Sequence, residues 1–248
     1  MKRLSWELRL GIALVCATIA LNAVHYAFYH DLHHIVFWSL TNLAFLPLSV
    51  LFVTLVLEGV IARRERGRRL DKVNMLIGLF YSNAGRELMA DIAGADTAFS
   101  ALSAALKSIG AWGEREFRAP SAAVLQHPYT VAIGAVKLPC LQNFLAAKTD
   151  FFLRLLENPN LLEHERFTDL LRAVFHLTEE LAHRPDLSRL PEQDLAHLAG
   201  DIARVYRLIV VEWVAYMGYL KHAYPYLFSL AVRMNPFDPA ASPVIRDV

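Results

Sequence analysis

The chain has 248 residues, with 25 basic and 24 acidic side chains and a net charge of +1. That balance excludes a general nucleic-acid binder, which carries a basic excess on one face, and the length allows one large domain or two small ones. A hydrophobic fraction of 55% is high for a soluble protein, and much of the excess lies in residues 10–62.

Residues 10–29 carry no formal charge, and neither do residues 35–57. About 20 apolar residues in a helix cross the roughly 30 Å of a bilayer's hydrocarbon. In that medium the backbone must bond internally, so each run is expected to be a helix. The expected spans are residues 10–29 and 35–58, closed into a hairpin by the turn HDLHH. Pro47 falls inside the second span and donates no amide hydrogen. The first run exceeds the 7–15 apolar residues of a signal peptide, and a second run follows at once, which favours an uncleaved anchor.

Lys2, Arg3 and Arg9 precede the first run. Arg63, Arg64, Arg66, Arg68, Arg69 and Lys72 follow the second. Short flanks rich in Lys and Arg stay in the cytoplasm. The expected arrangement is therefore a multi-pass protein of the inner (plasma) membrane, with the hairpin in residues 1–64. Residues 65–248 then form a cytoplasmic helical domain. The same six basic residues suit anionic lipid headgroups, at about 1 kcal/mol each. Glu58, near the inner boundary, is expected to pair with Arg63 or Arg64.

The turn holds His30, Asp31, His33 and His34. These residue types bind zinc or copper, and a tight interfacial turn needs polar residues for its own sake. Within the spans, Thr18, Asn22, His25 and Tyr29 share one helix face, as do Asn42 and Ser49 on the other. Such faces serve interhelical hydrogen bonds or line a polar pathway in an oligomer.

Beyond residue 70 the periodicity is helical. Helices are expected over 70–89, 97–109, 138–157 and 161–183, with a long one from Pro191 to about 223 and a short one after Pro225. Breaks fall at 91–96, at Gly110 and Gly113, and at Asn158–Pro159. Residues 127–136 are the one candidate strand. Leu195, Leu198, Ile202, Val205, Ile209, Glu212 and Tyr216 form a stripe in steps of three and four, so Glu212 should point inward, where an unpaired charge is costly. The fold class is all-α: a two-helix membrane hairpin followed by a bundle of about five helices.

Glu180–His183 has the E-x-x-H spacing of carboxylate-bridged metal bundles, and Asp194–His197 is a looser copy, with Glu87 and Glu212 as further oxygens. Glu212 lies some 15 residues along its helix, about 22 Å away, too far to join the others. No phosphate loop, dinucleotide motif, nucleophile elbow or H-E-x-x-H occurs. Cys140 has no local activator and is expected to be a buried, inert thiol. No catalytic residue and no cofactor are expected, and the reading leans away from an enzyme. The expected function is homo-oligomeric assembly among membrane lipids, as a pore (channel) or a scaffold. The alternatives are a membrane-anchored protein binding iron, zinc or copper, and a sensor or docking module for a protein partner.

Overall fold

The computed structural model describes residues 6–118, 122–161 and 164–244. It divides into two compact units, Met1–Arg66 and Gly67–Val248. Among the described residues the regular structure is helical, with one isolated β-bridge.

The first unit contains α1 (Trp6–Tyr29) and the start of α2 (Leu32–Phe80). Asp31 starts α2: its Oδ1 accepts the His34 amide at 3.0 Å, the N-cap geometry that satisfies an otherwise orphaned donor. His30 makes the reversal with φ 50°, a left-handed conformation uncommon outside glycine. Pro47 is accommodated inside α2. Both helices are long and apolar enough, by length and composition, to cross a membrane, and their most apolar windows contain no buried residue. Leu14, Ile19, Leu40, Phe52 and Leu55 are each more than half exposed.

In the second unit α2 ends in a π-helical turn, Tyr81–Gly85, and resumes as α3 (Arg86–Ala93). The sequence explains the turn. Buried residues recur every four positions, at Val73, Ile77, Tyr81, Gly85, Met89 and Ala93. An α-helix advances about 100° per residue, so a row of fours drifts by about 200° over those 20 residues. A π-turn inserts one extra residue and removes about half of that drift, keeping the row on one buried side.

Short helices α4 (Phe99–Leu106), α5 (Glu114–Arg118) and α6 (Ala122–Leu125) follow, then α7 (Leu138–Leu156), α8 (Glu165–Ala182), α9 (Glu192–Ala223) and α10 (Pro225–Arg233). The 32-residue α9 is the central member, packed by α3, α5, α8 and α10. Phe167, Leu170, Leu171, Val174 and Leu181 of α8 and Leu198, Ile202, Val205 and Ile209 of α9 are fully enclosed. Phe80 meets Phe152 and Phe167 in the same core.

Four expectations are corrected. Residues 127–136 form no strand: Pro128 has no amide hydrogen, Tyr129 takes φ 49°, and only the Asp96–Val131 bridge results. Between the helices expected over 97–109 and 138–157, where none is expected, lie α5 and α6, so the bundle has more and shorter helices than five. The helix expected from 161 begins at Glu165, because the His164 ring nitrogen Nδ1 accepts the Phe167 amide at 3.2 Å and caps it there. Cys140 is exposed, on the side of α7 away from buried Leu138, Leu141 and Leu145.

Candidate functional site

In the first unit, Thr18, Asn22, His25, His34 and Asn42 line one open cleft of about 570 Å³. Among the described residues the polar side chains make no hydrogen bond from one helix to the other. Thr18 donates to Leu14 O at 2.9 Å, Asn22 to Thr18 O at 2.9 Å, and Ser49 to Phe45 O at 3.1 Å, each within its own helix. His25 stacks on His34, ring centroids 5.9 Å apart. Among the described residues, His30, Asp31, His33 and His34 do not bring three ligand atoms together. The turn geometry is the reason: Asp31 is committed to the helix cap and His34 lies over His25 and Trp38. Glu58, Arg63 and Arg64 are exposed, and Glu58 makes no ion pair with either arginine. Lys72 is exposed in the second unit. Lys2 and Arg3, and the side chains of Arg66, Arg68 and Arg69, lie outside the described residues.

The second unit buries Glu212, as its place in the α9 stripe requires. Its Oε2 accepts no hydrogen bond. The nearest basic groups are Arg166 Nε, 3.7 Å from Oε2, and His164 Nε2, 3.8 Å from Oε1. Burial pushes the Glu212 carboxyl above the ordinary glutamate value, with His164 and Arg166 opposing. Burial, then the charge of Glu212, also raises the phenol of Tyr81, which donates to Ile209 O at 2.8 Å. A carboxyl with a raised pKa in the fold holds its proton more tightly there than in the unfolded chain. Its contribution is therefore favourable in acid and is lost as pH rises from 4.5 through the raised value. Glu212→Gln removes that dependence. At pH 8 the variant is expected to be more stable than the parent by about 1 kcal/mol, the difference shrinking toward pH 5, as read by denaturant unfolding at both values.

Beside it, Trp213, Tyr216, Tyr81 and Tyr219 line an apolar cavity of about 430 Å³ with Asp71 and Arg86 at its polar positions. Tyr81 and Tyr216 stack at 5.5 Å, and Gly78 faces the Tyr216 hydroxyl where a Cβ would stand 2.5 Å from the oxygen. Tyr219 donates to Asp71 at 3.2 Å.

Sequence reasoning missed two further constellations. The first is wholly buried. Asp96 Oδ2 lies 2.7 Å from His127 Nε2 and accepts from the Tyr206 hydroxyl at 3.3 Å, while Oδ1 accepts the Ala98 amide at 2.9 Å. The signal available was polar residues in apolar surroundings, with nothing to join positions 31 apart.

The second lies where α8 ends and α9 begins. Glu180 and His197, expected as ligands, do converge, but with His176 rather than with His183 and Asp194: ligand atoms of the three lie within 4.8 Å of one another, and Asp201 approaches the two imidazoles. His176 Nε2 is 3.4 Å from Asp201 Oδ2 and 3.9 Å from Glu180 Oε1. His197 Nε2 is 3.3 Å from Asp201 Oδ2 and 3.6 Å from Glu180 Oε2. His183 instead turns its Nδ1 to Glu179 O at 2.8 Å. Asp194 is taken by Arg184, which grips both its oxygens at 2.8 and 2.6 Å and Glu180 Oε2 at 2.7 Å. Those contacts hold the Glu180 and Asp194 carboxyls below the usual range, the hydrogen bond from Arg184 being the main cause in each. The productive spacing is i, i+4 on each helix, one turn, and not the i, i+3 of the E-x-x-H pattern. Glu87 is exposed on α3 and does not join the group, nor does Glu212.

The comparisons with known proteins follow this division. Residues 2–61 match the family model described as the MJ1433 N-terminal helical domain, and residues 69–233 match that of the C-terminal helical domain of the uncharacterized protein MJ1433. The chain is 39% identical over 233 residues to the "Uncharacterized protein MJ1433" of Methanocaldococcus jannaschii, covering 94% of each. No solved structure matches it. With both helical domains matched in order and nearly the whole length aligned, the chain belongs to the MJ1433 family.

Proposed function

We propose that this is a two-span inner-membrane protein that works by homo-oligomeric assembly, with its second unit a helical domain on the cytoplasmic side. The observation that carries it is the pair of long apolar helices whose most apolar windows bury nothing. Apolar surface of that extent needs a cover. The lengths match the hydrocarbon thickness, and the basic run from Arg63 to Lys72 suits a cytoplasmic boundary.

Assembly is supported by the hairpin cleft. Asn22, His25 and Asn42 face an open groove, and the bonds of Thr18 and Asn22 stay within α1. In lipid, a polar groove is covered by protein or filled with water. A second copy presenting the same face is the simplest cover, and several copies around an axis would enclose a pathway or form a scaffold.

Light scattering on the full chain in mild detergent is expected to give a multiple of the 28.0 kDa protomer. Asn22→Leu with Asn42→Leu should shift the population toward monomer. A parent chain that is already monomeric removes the assembly reading. A chain that stays dispersed without detergent removes the membrane reading.

A further inference from the structure

We propose that His176, Glu180, His197 and Asp201 bind one divalent first-row transition-metal cation between the end of α8 and the start of α9. Each helix contributes an imidazole and a carboxylate one turn apart, so both pairs project from the same side of their helices.

The distances carry the inference. Ligand atoms 2.0–2.1 Å from a tetrahedral ion lie about 3.3–3.4 Å from one another. Asp201 Oδ2 stands 3.3 Å from His197 Nε2 and 3.4 Å from His176 Nε2. The Glu180 oxygens are slightly further, at 3.6 and 3.9 Å from the same nitrogens. A charge-assisted hydrogen bond between imidazolium and carboxylate would close to about 2.7–2.9 Å. Ligand atoms of His176, Glu180 and His197 thus lie within 4.8 Å of one another without bonding, and Asp201 Oδ2 joins them beside the two imidazoles.

Asp201 supplies the independent sign. Its side chain is 5% exposed, and Oδ2 has no hydrogen-bond partner. A buried carboxylate oxygen with no donor is costly, and both nitrogens nearest to it belong to the cluster. Its other oxygen faces Arg204 at 3.3 Å, which leaves Oδ2 as the free ligand atom. Arg184 fixes Glu180 from behind by gripping it together with Asp194, the kind of outer contact that orients a ligating carboxylate. His176 and His197 are 44% and 53% exposed, so a cation could enter from solvent and keep a water on its open side. Two imidazoles and two carboxylates without thiolate suit Zn²⁺, Fe²⁺ or Co²⁺, and neither Cu⁺ nor a site built wholly of oxygen.

The test uses the full chain in detergent, stripped with chelator and titrated with Co²⁺ and Zn²⁺. One equivalent per chain is expected. His176→Ala, His197→Ala and Asp201→Asn should each weaken binding at least tenfold, with His183→Ala and the triple change of His30, His33 and His34 to Ala leaving it unchanged. Less than a tenth of an equivalent on the parent chain overturns the proposal. So does unchanged affinity in His176→Ala and His197→Ala. Should a variant lose helix content, the unaltered protein decides: Co²⁺ must broaden the NMR signals of the His176 and His197 rings, and sharp signals at saturating Co²⁺ refute the site.

Discussion

Replacing Asp96 by alanine is expected to destabilise the helical domain by about 3–5 kcal/mol, the range for breaking a buried pair by removing one partner. Both side chains are enclosed, at 2% exposure for His127 and 0% for Asp96. The loss is threefold. His127 Nε2 is left without its 2.7 Å partner, the Tyr206 hydroxyl loses its acceptor, and the Ala98 amide loses the bond that turns the chain into α4. Water cannot take over easily, because Tyr129 and Tyr206 wall the site. Asp96→Asn keeps the shape and an acceptor, and should cost only about 1–2 kcal/mol. Denaturant midpoints with unchanged slopes provide the measurement. A cost below about 1 kcal/mol for the alanine variant would mean that the pair contributes little. His127→Ala combined with Asp96→Ala should cost clearly less than the sum of the two, since neither partner is then left stranded.

Phe80→Ala is expected to cost about 3–5 kcal/mol, the range for truncating an enclosed phenylalanine. Phe80 is wholly buried and sits edge-on to Phe167 of α8 at 5.4 Å, while meeting Phe152 of α7 at 6.3 Å. Residue 85, at the end of the π-turn beside Phe80, is glycine. A Cβ added there would stand 2.5 Å from Phe80 Cε1 and 2.8 Å from Tyr81 Cδ1. Gly85→Ala alone should thus be destabilising, by about 1–3 kcal/mol from overpacking. In the Phe80→Ala background the same change should cost clearly less, since one of the two rings it strikes is gone and only the Tyr81 contact remains. Thermal unfolding of the four proteins in one cycle measures the coupling, and strict additivity would refute the packing account.

Much of the fold was legible in the sequence. The all-helical class follows from periodicity that is local, and the limits of most of the longer helices follow from prolines, caps and breaks within a few residues. The inward position of Glu212 was legible for the same reason, because a stripe repeating along one helix identifies its buried side without knowledge of what covers it. The extent of the two apolar runs is likewise a property of composition alone.

What lay outside the sequence depends on which helix meets which. His176 and Asp201 are 25 positions apart and carry no motif. They meet Glu180 and His197 only because α8 and α9 pack with these turns facing. The spacing Glu180–His183 looked apt, yet the helix end turns His183 back to its own backbone. Asp96 and His127 find each other through a single bridge between loops, and no periodicity encodes a loop contact. The π-turn, too, is a tertiary outcome: a row of small and apolar residues at fours is compatible with an ordinary helix until both ends of the row must face the same core. The sequence by itself determined the class, the apolar runs and the buried stripe, all governed by neighbours three or four residues away. The tertiary structure alone decided which polar groups share a site, because that depends on the crossing of helices distant along the chain.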